Sequence, residues 1–348
     1  MRSGVALRVI PLLLLLAACQ SGLSSPGVPS APSVAGGGSQ RMPGVGAAHL
    51  YVATVTGSRR LTIERHRLHK GIPAKSPDLV YDGYSGLIAV SPNGWLFSTL
   101  AQNPISIAAF PPGSHRPVRK IRVEPFCRFS SSGFNVVNAI AADPNGYLFV
   151  LIYSYPGAPI SPERKVAAQP DTRTPCNGIA VYAPNAGGKA RPVQAIKLSN
   201  VAGLDALAVD ANDNLYVGGG SVVSEYANSI ANPTLTRTFS GKYLGTVRAL
   251  ATDSAGDVFI ANAQHSYSSA WIDRYSRSAS GGGPPTSTIV LQGSGPHSLW
   301  SIAEQGRYLY IDDTGTSVDV YHAFKNGPQS PIDSLLLSEK VDTIATGP

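Results

Sequence analysis

The chain has 348 residues, of which 14% are charged, and it contains 36 glycines and 28 prolines. Its formal net charge of +7 is modest and is not concentrated in a basic stripe, which argues against a typical nucleic-acid-binding protein. One apolar run near the start is too short for a permanent transmembrane helix, and no later run reaches the length that a span needs.

Residues 1–18 have the pattern of a signal peptide. Arg2 and Arg8 precede a short apolar run, and Leu16-Ala17-Ala18 supplies the small residues that a signal peptidase needs. The sequence LAAC resembles a bacterial lipobox, which implies that Cys19 carries lipid; an ordinary secretory signal with an incidental cysteine is the alternative. Several acyl chains on Cys19 would give stable anchoring in a lipid bilayer.

Residues 19–48 follow as the lipidated cysteine and a tether rich in Gly, Ser, Pro and Ala, a composition typical of flexible linkers. The predicted location is therefore the cell envelope, exported and lipid-anchored. If the host is Gram-negative, the Gln20 that follows Cys19 favours the outer membrane.

The most basic stretch lies at residues 59–70, where arginines, histidines and Lys70 alternate with apolar residues in LTIERHRLH. This alternation predicts a β-strand with a solvated basic face. We therefore expect no nucleic-acid partner.

One hairpin pattern recurs along residues 49–348. Each copy has a small or apolar strand, a tight turn, and an aromatic-rich strand, as in NAIAADPNGYLFV and LDALAVDANDNLYVG. Asp, Pro, Asn and Gly are the residues such turns require. The stretch DANDN (210–214) is accordingly predicted to be a turn and not a calcium loop, because Leu215 stands where that loop needs glycine.

A third and a fourth strand follow each hairpin, as in GIAVY and PVQAIKL. Four short antiparallel strands per repeat predict an all-β, six-bladed β-propeller over 49–348. The first blade lacks its innermost strand, and the strand at 341–348 matches the missing one. We expect that strand to pair into the N-terminal blade and close the ring.

These hairpins and the segment VYAPNAGGKARPV resemble NHL-repeat and gluconolactonase-like six-bladed propellers over nearly all of 49–348. The resemblance concerns the fold, because propellers of this kind host hydrolases, lyases, scaffolds and receptors.

The residue before each first strand is expected to point into the mouth of the central channel. Polar residues at or beside this position form the predicted ligand-binding ring: Asn138, Asp205, Arg248, His297, Ser298 and Asp342. Polar groups gathered on otherwise apolar strands are typical of a binding site.

The resemblance to gluconolactonase-like enzymes also implies a divalent cation at this level, held by Glu, Asn and Asp. Asn138 and Asp205 match two of those positions, and Asp342 stands in place of the glutamate. Calcium suits such oxygen ligands. The sequence departs from the family pattern in three ways. Aspartate replaces the glutamate, Asn138 and Asp205 lie on different blades from those expected, and Arg248 adds a positive charge beside them.

Cys127 and Cys176 fall in loops that a propeller would place on the mouth face of adjacent blades. Because disulfides persist in exported proteins, a Cys127–Cys176 disulfide is predicted, with two free thiols as the alternative. It would pin the long insertion at 155–177 near the mouth.

No nucleophile elbow, zinc-protease motif, phosphate loop or C-x-x-C motif occurs. The sequence therefore favours a membrane-anchored binding or scaffold module, expected to be a monomer, that takes an unidentified protein or small molecule at its channel mouth. The alternative is a calcium-dependent lactonase-like hydrolase, with Asp342, Asn138 and Asp205 holding the ion.

Overall fold

The computed structural model describes residues 48–55, 61–82, 86–100, 105–124, 126, 134–155, 176–198, 203–263, 269–292, 299–312 and 315–348. Over these ranges the protein consists of β-strands and turns. Among them no helix is long and apolar enough to cross a membrane. The predicted signal peptide, Cys19, most of the tether, and most of the long insertion lie outside the described residues.

Six antiparallel sheets of four main strands form the blades of a propeller. Blade 1 contains β1 (His49–Val55), β2 (Leu61–His69) and β4 (Leu79–Asp82), with the short β3 (Ile72–Pro73) beside the end of β2. Blade 2 contains β5 (Ile88–Val90), β6 (Leu96–Leu100), β7 (Ser106–Phe110) and β8 (Arg119–Arg122). Blade 3 contains β9 (Phe134–Ala142), β10 (Leu148–Tyr155), β11 (Cys176–Tyr182) and β12 (Gln194–Leu198).

Blade 4 contains β13 (Leu204–Val209), β14 (Leu215–Gly219), β15 (Val222–Ala227) and β16 (Thr234–Ser240). Blade 5 contains β17 (Thr246–Thr252), β18 (Val258–Ala263), β19 (Ala270–Tyr275) and β20 (Ser287–Leu291). Blade 6 contains β21 (Ser301–Gln305), β22 (Tyr308–Asp312), β23 (Ser317–His322) and β25 (Asp333–Leu336).

The last strand, β26 (Lys340–Gly347), completes blade 1 by pairing antiparallel with β1. This confirms the predicted closure of the ring and the predicted six-bladed fold. Closure satisfies the inner edge of β1, which would otherwise present unpaired backbone groups. Successive inner strands contact each other around the ring, and β26 contacts both β21 and β5.

A strand that the sequence pattern did not predict joins blade 5. The segment between β23 and β25 forms β24 (Gly327–Gln329), which lies parallel to β20 at the outer edge of that blade. Pro328 is tolerated there because an edge strand has one side free of ladder hydrogen bonds. The buried Gln329 side chain donates to the carbonyl of His322 at 3.4 Å and so ties the excursion back to blade 6.

The hairpin turns form as predicted. In blade 4 the Asp210 Oδ1 atom accepts hydrogen bonds from the backbone N–H groups of Asn212 at 2.8 Å and Asn214 at 2.9 Å. Asp253 makes the same kind of turn in blade 5 by accepting from Ala255 and Asp257. These carboxylates satisfy turn backbone groups, which is the use of Asp at such positions.

The hydrophobic core lies between neighbouring blades. Each inner strand carries an alanine directly opposite an aromatic residue of the second strand: Ala345 and Tyr51, Ala89 and Phe97, Ala141 and Phe149, Ala208 and Tyr216, Ala251 and Phe259, Ala303 and Tyr310. The small side chains stand where six strands converge on the axis, and the large ones fill the wider space farther out. The blades therefore pack like wedges, at the density that protein interiors require.

Candidate functional site

A channel of about 1130 Å³ runs along the propeller axis, and the inner strands form its wall. Two apolar rings line it, each with one residue per blade. The first ring consists of Ala89, Ala141, Ala208, Ala251, Ala303 and Ala345, and the second of Ile88, Ile140, Leu207, Leu250, Ile302 and Ile344. The channel thus has an apolar middle, and its polar groups lie toward its ends.

The predicted polar residues occupy equivalent β-bulges at the end where the inner strands begin, which we call the mouth. In four blades the inner strand has one extra residue that no partner opposes: Asn138, Asp205, Arg248 and Asp342. A bulge re-aims the side chain of its extra residue. All four side chains line the channel.

Close packing accompanies the bulge in blade 4. Gly219 of β14 lies opposite the bulged segment, and a Cβ atom there would come within 2.1 Å of the Gly203 carbonyl oxygen. Only glycine fits this approach, which explains the glycine at position 219.

Three of the bulged residues form a connected polar arc across blades 3, 4 and 5. The Asn138 Nδ2 atom donates to the Leu204 carbonyl oxygen at 2.8 Å and lies 3.5 Å from Asp205 Oδ1. Burial raises the pKa of Asp205, and the positive charge of Arg248 partly offsets that rise. Asp205 is therefore a carboxyl group whose charge depends on its basic neighbour.

Trp300 extends the arc to blade 6. The Arg248 guanidinium lies 5.8 Å from the centre of the Trp300 ring, a cation–π distance. Trp300 is 51% exposed, whereas the preceding Leu299 is fully buried with φ +44°. A leucine in this backbone region is strained, and strain of this kind tends to accumulate at functional sites.

Strand pairing places Trp300 at the position in blade 6 that corresponds to the bulged residues, because Ala303 opposes Tyr310 as Ala208 opposes Tyr216. The predicted mouth residues of this blade, His297 and Ser298, come three and two residues before Trp300 and lie outside the described residues. Their place in the ring stays a prediction.

Asp342 lies on blade 1, opposite blade 4 in a ring of six. Burial raises its pKa, and Lys340 on the same strand partly offsets the rise. The mouth therefore has two separate charged sectors, Asp205 with Arg248 and Asp342 with Lys340.

This arrangement does not fit the calcium site that the resemblance implies. Asp342 and Asp205 stand on opposite blades, the Asn138 amide nitrogen faces Asp205, and Arg248 places a positive charge beside it. Among the described residues, no group of three or more His, Cys, Asp or Glu side chains could hold a metal ion. The calcium site implied by the resemblance stays a prediction.

The predicted disulfide is only half described. Cys176 begins β11, where it opposes Ser154, and Cys127 lies outside the described residues. The pairing stays a prediction.

Sequence reasoning missed Glu304, which lines the channel at the end away from the mouth. The sequence pattern predicts that Glu304 belongs to the turn at 303–306, whereas the structure includes it in β21. The available signal was its place directly after the alanine of the inner strand, where the other blades have no charged residue.

No family model matches the chain, and no curated protein matches it. Solved structures do match. A protein of unknown function from Bacteroides caccae aligns with a TM-score of 0.53 and 13% identity, over 86% of this chain and 98% of that one. Hsv2 from Kluyvelomyces marxianus aligns with a TM-score of 0.44 and 9% identity, over 83% of this chain and 82% of that one. The first match supports the fold alone.

Proposed function

We propose that this protein is a lipid-anchored, extracytoplasmic binding or scaffold module that takes its ligand or partner at the channel mouth. The observation that carries the proposal is the set of four equivalent β-bulges, which turn Asn138, Asp205, Arg248 and Asp342 into one end of a channel whose middle is apolar. A concave, mostly apolar pocket with a few convergent polar groups is the usual form of a binding site.

Energetics supports a binding role for this ring. Both Asp205 and Asp342 keep contact with solvent in the open channel, and the protein atoms around them still raise the pKa of both carboxyl groups. The four bulges also interrupt regular strand pairing, and Leu299 adopts a positive φ that is strained for a leucine. Features that cost stability in several blades at one end of a channel are best explained by a ligand that contacts them.

The anchoring part of the proposal rests on the sequence. The LAAC motif and the tether at 19–48 would hold the propeller to a bilayer while leaving the mouth accessible. Replacing Cys19 by serine should abolish incorporation of labelled palmitate and release the exported protein from the membrane fraction. Retention of the Cys19→Ser protein in that fraction would contradict anchoring through this residue.

Thermal unfolding against a panel of small molecules tests the binding role. Purified protein is heated with neutral sugars, sugar lactones and amino acids, each with and without calcium chloride. A ligand at one hundred times its Kd stabilises the folded state by about 2.7 kcal/mol, which raises Tm measurably. We expect a hit whose Tm shift is lost in Arg248→Ala and Asp205→Asn and kept in Arg122→Ala, an exposed residue of β8.

The same panel separates the alternatives. A Tm shift that survives both mouth variants would overturn the mouth as the binding site. Turnover of a lactone that requires calcium and is lost in Asp205→Asn would replace the binding module with the hydrolase.

A protein partner is tested by photo-crosslinking in cells. A benzoyl-phenylalanine in place of Trp300 should give a discrete adduct, whereas the same probe at Leu336, 78% exposed on an outer strand, should not. Identical adducts at both positions would argue against a specific partner at the mouth.

A further inference from the structure

Glu304 is a carboxyl group at a position where the other inner strands carry no charge. It follows the alanine of the inner strand in blade 6. The residues in the same place on the other blades are all uncharged: Val90, Ala142, Val209, Thr252 and Thr346. The blade structure therefore does not require an acidic residue at this position.

The surroundings of Glu304 leave its carboxyl group poorly satisfied. The Oε1 atom is buried and has no hydrogen-bond partner, while the hydroxyl of Thr346 bonds to the Glu304 backbone carbonyl at 2.7 Å. The charged and titratable groups that face the side chain are Asp253 of blade 5 and Tyr310 of the adjacent strand. Burial, together with the negative charge of Asp253, raises the pKa of Glu304 to about 8.

Charge is distributed unevenly along the channel. The basic side chains that line its described part, Arg248 and Lys340, belong to the mouth. The opposite end is lined by Asp210, Asp253 and Glu304. Turn hydrogen bonds occupy the Oδ1 atoms of Asp210 and Asp253. The Glu304 Oε1 atom accepts no such hydrogen bond, so the carboxyl group is available to a ligand.

A partly buried carboxyl group with one buried oxygen that lacks a hydrogen-bond partner destabilises a protein, and its place in a cavity makes it a candidate for function. The complementary ligand group is a cation that can donate hydrogen bonds. The alanine and isoleucine/leucine rings between Glu304 and the mouth would contact an aliphatic chain.

We infer that this end of the channel binds the ammonium group of a primary amine, with the aliphatic chain of the amine lying along the apolar rings. The ammonium donates to the Glu304 carboxylate, and Asp253 adds attraction without a direct role. Binding converts Glu304 from acid to carboxylate and releases its proton to solvent. This inference rests on the end of the channel opposite the mouth and is independent of the function proposed for the mouth.

Calorimetry with n-hexylammonium chloride, hexan-1-ol and hexanoate tests this. We expect hexylammonium to bind at least tenfold more tightly than either other probe at pH 8. Because binding requires the carboxylate, affinity should rise by up to tenfold per pH unit from pH 6 and level off above about pH 8. The observed enthalpy should also depend on the ionisation enthalpy of the buffer, because a proton is released.

Glu304→Gln keeps the size of the side chain and removes its acidity. We expect this variant to lose the preference for hexylammonium and the pH dependence, with an unchanged circular dichroism spectrum. The matched control is Asp82→Asn, which removes one negative charge from an exposed position on β4 and should keep both properties. Equal binding of hexan-1-ol and hexylammonium by the wild-type protein, or an unaltered pH dependence in Glu304→Gln, would overturn the inference.

Discussion

Ile344 of the last strand lies directly opposite Val52 of the first, and this pairing closes the ring. Ile344 is only 4% exposed and packs in the cluster between blades 6 and 1. The contact joins residues that are almost the whole propeller apart in sequence. Closure of the ring therefore depends on this pairing between the first and last strands.

Shortening Ile344 should destabilise the propeller. Ile344→Ala removes buried methyl groups at the closure and is expected to lower the free energy of unfolding by about 2–5 kcal/mol. Urea denaturation monitored by circular dichroism measures the change. Leu336→Ala, at a residue that is 78% exposed on β25, should change the free energy by no more than about 0.5 kcal/mol. Equal effects of the two variants would contradict the role of closure.

The buried ion pair of blade 5 should matter more than the exposed one of blade 1. Asp257 is 6% exposed, and its Oδ2 atom accepts a hydrogen bond from Arg274 Nε at 2.9 Å. Asp257→Ala leaves the guanidinium without its partner and should cost about 3–5 kcal/mol in urea denaturation. Asp78 pairs with Arg65 at 2.9 Å near the surface, and Asp78→Ala should cost at most about 1 kcal/mol. The reverse order would contradict this assignment.

Stability should depend on the protonation of Glu304. Its pKa rises from 4.5 to about 8 on folding, so the folded state keeps a proton that the unfolded chain has lost between those values. The stabilising contribution of this protonation is present below about pH 4.5 and is lost as pH rises toward 8, at no more than about 1.4 kcal/mol per pH unit. Urea midpoints between pH 5 and 8 should fall less steeply in Glu304→Gln than in the wild-type protein. Parallel pH profiles would show that Glu304 titrates normally.

The Asp205 carboxyl group should respond to its basic neighbour. Burial raises its pKa and Arg248 lowers it, so Arg248→Ala should raise the pKa further. Arg248→Lys keeps the positive charge and should have a smaller effect. Carbon-detected NMR titration of the side-chain carboxyl group measures both variants. An unchanged pKa in Arg248→Ala would mean that the two groups are not electrostatically coupled.

The Cys127–Cys176 disulfide can be tested on the exported protein. Alkylation without reduction, followed by peptide mass spectrometry, should leave both cysteines unlabelled and recover one linked peptide pair. Labelling of both thiols before reduction would rule out the bridge.

The fold could be predicted from local chemistry. Turns such as Asp143-Pro144-Asn145-Gly146 signal a hairpin within a few residues, because side-chain acceptors and positive φ act locally. Repetition then gave the number of blades, and the unmatched strand at 341–348 indicated the closure. The short β24 was not predictable in this way, because parallel pairing with β20 depends on how two blades are packed.

The polar ring was predictable in part. Asn138, Asp205, Arg248 and Asp342 were found by aligning repeats, because equivalent positions in equivalent blades face the same channel. The bulges at these residues were not predictable, and neither was the placement of Trp300 at the equivalent position of blade 6. Both follow from strand register, which depends on pairing partners that the sequence of a single hairpin does not specify.

By itself, therefore, the sequence determined what short-range chemistry controls: the hairpins, the number of blades and the residues of four mouth positions. Only the tertiary structure decided which charges meet. Asp205 lies beside Arg248 and opposite the blade of Asp342, and Glu304 faces Asp253 across a blade boundary. Burial and neighbouring charge, which set the chemistry of these carboxyl groups, are properties of the closed ring and of no single repeat.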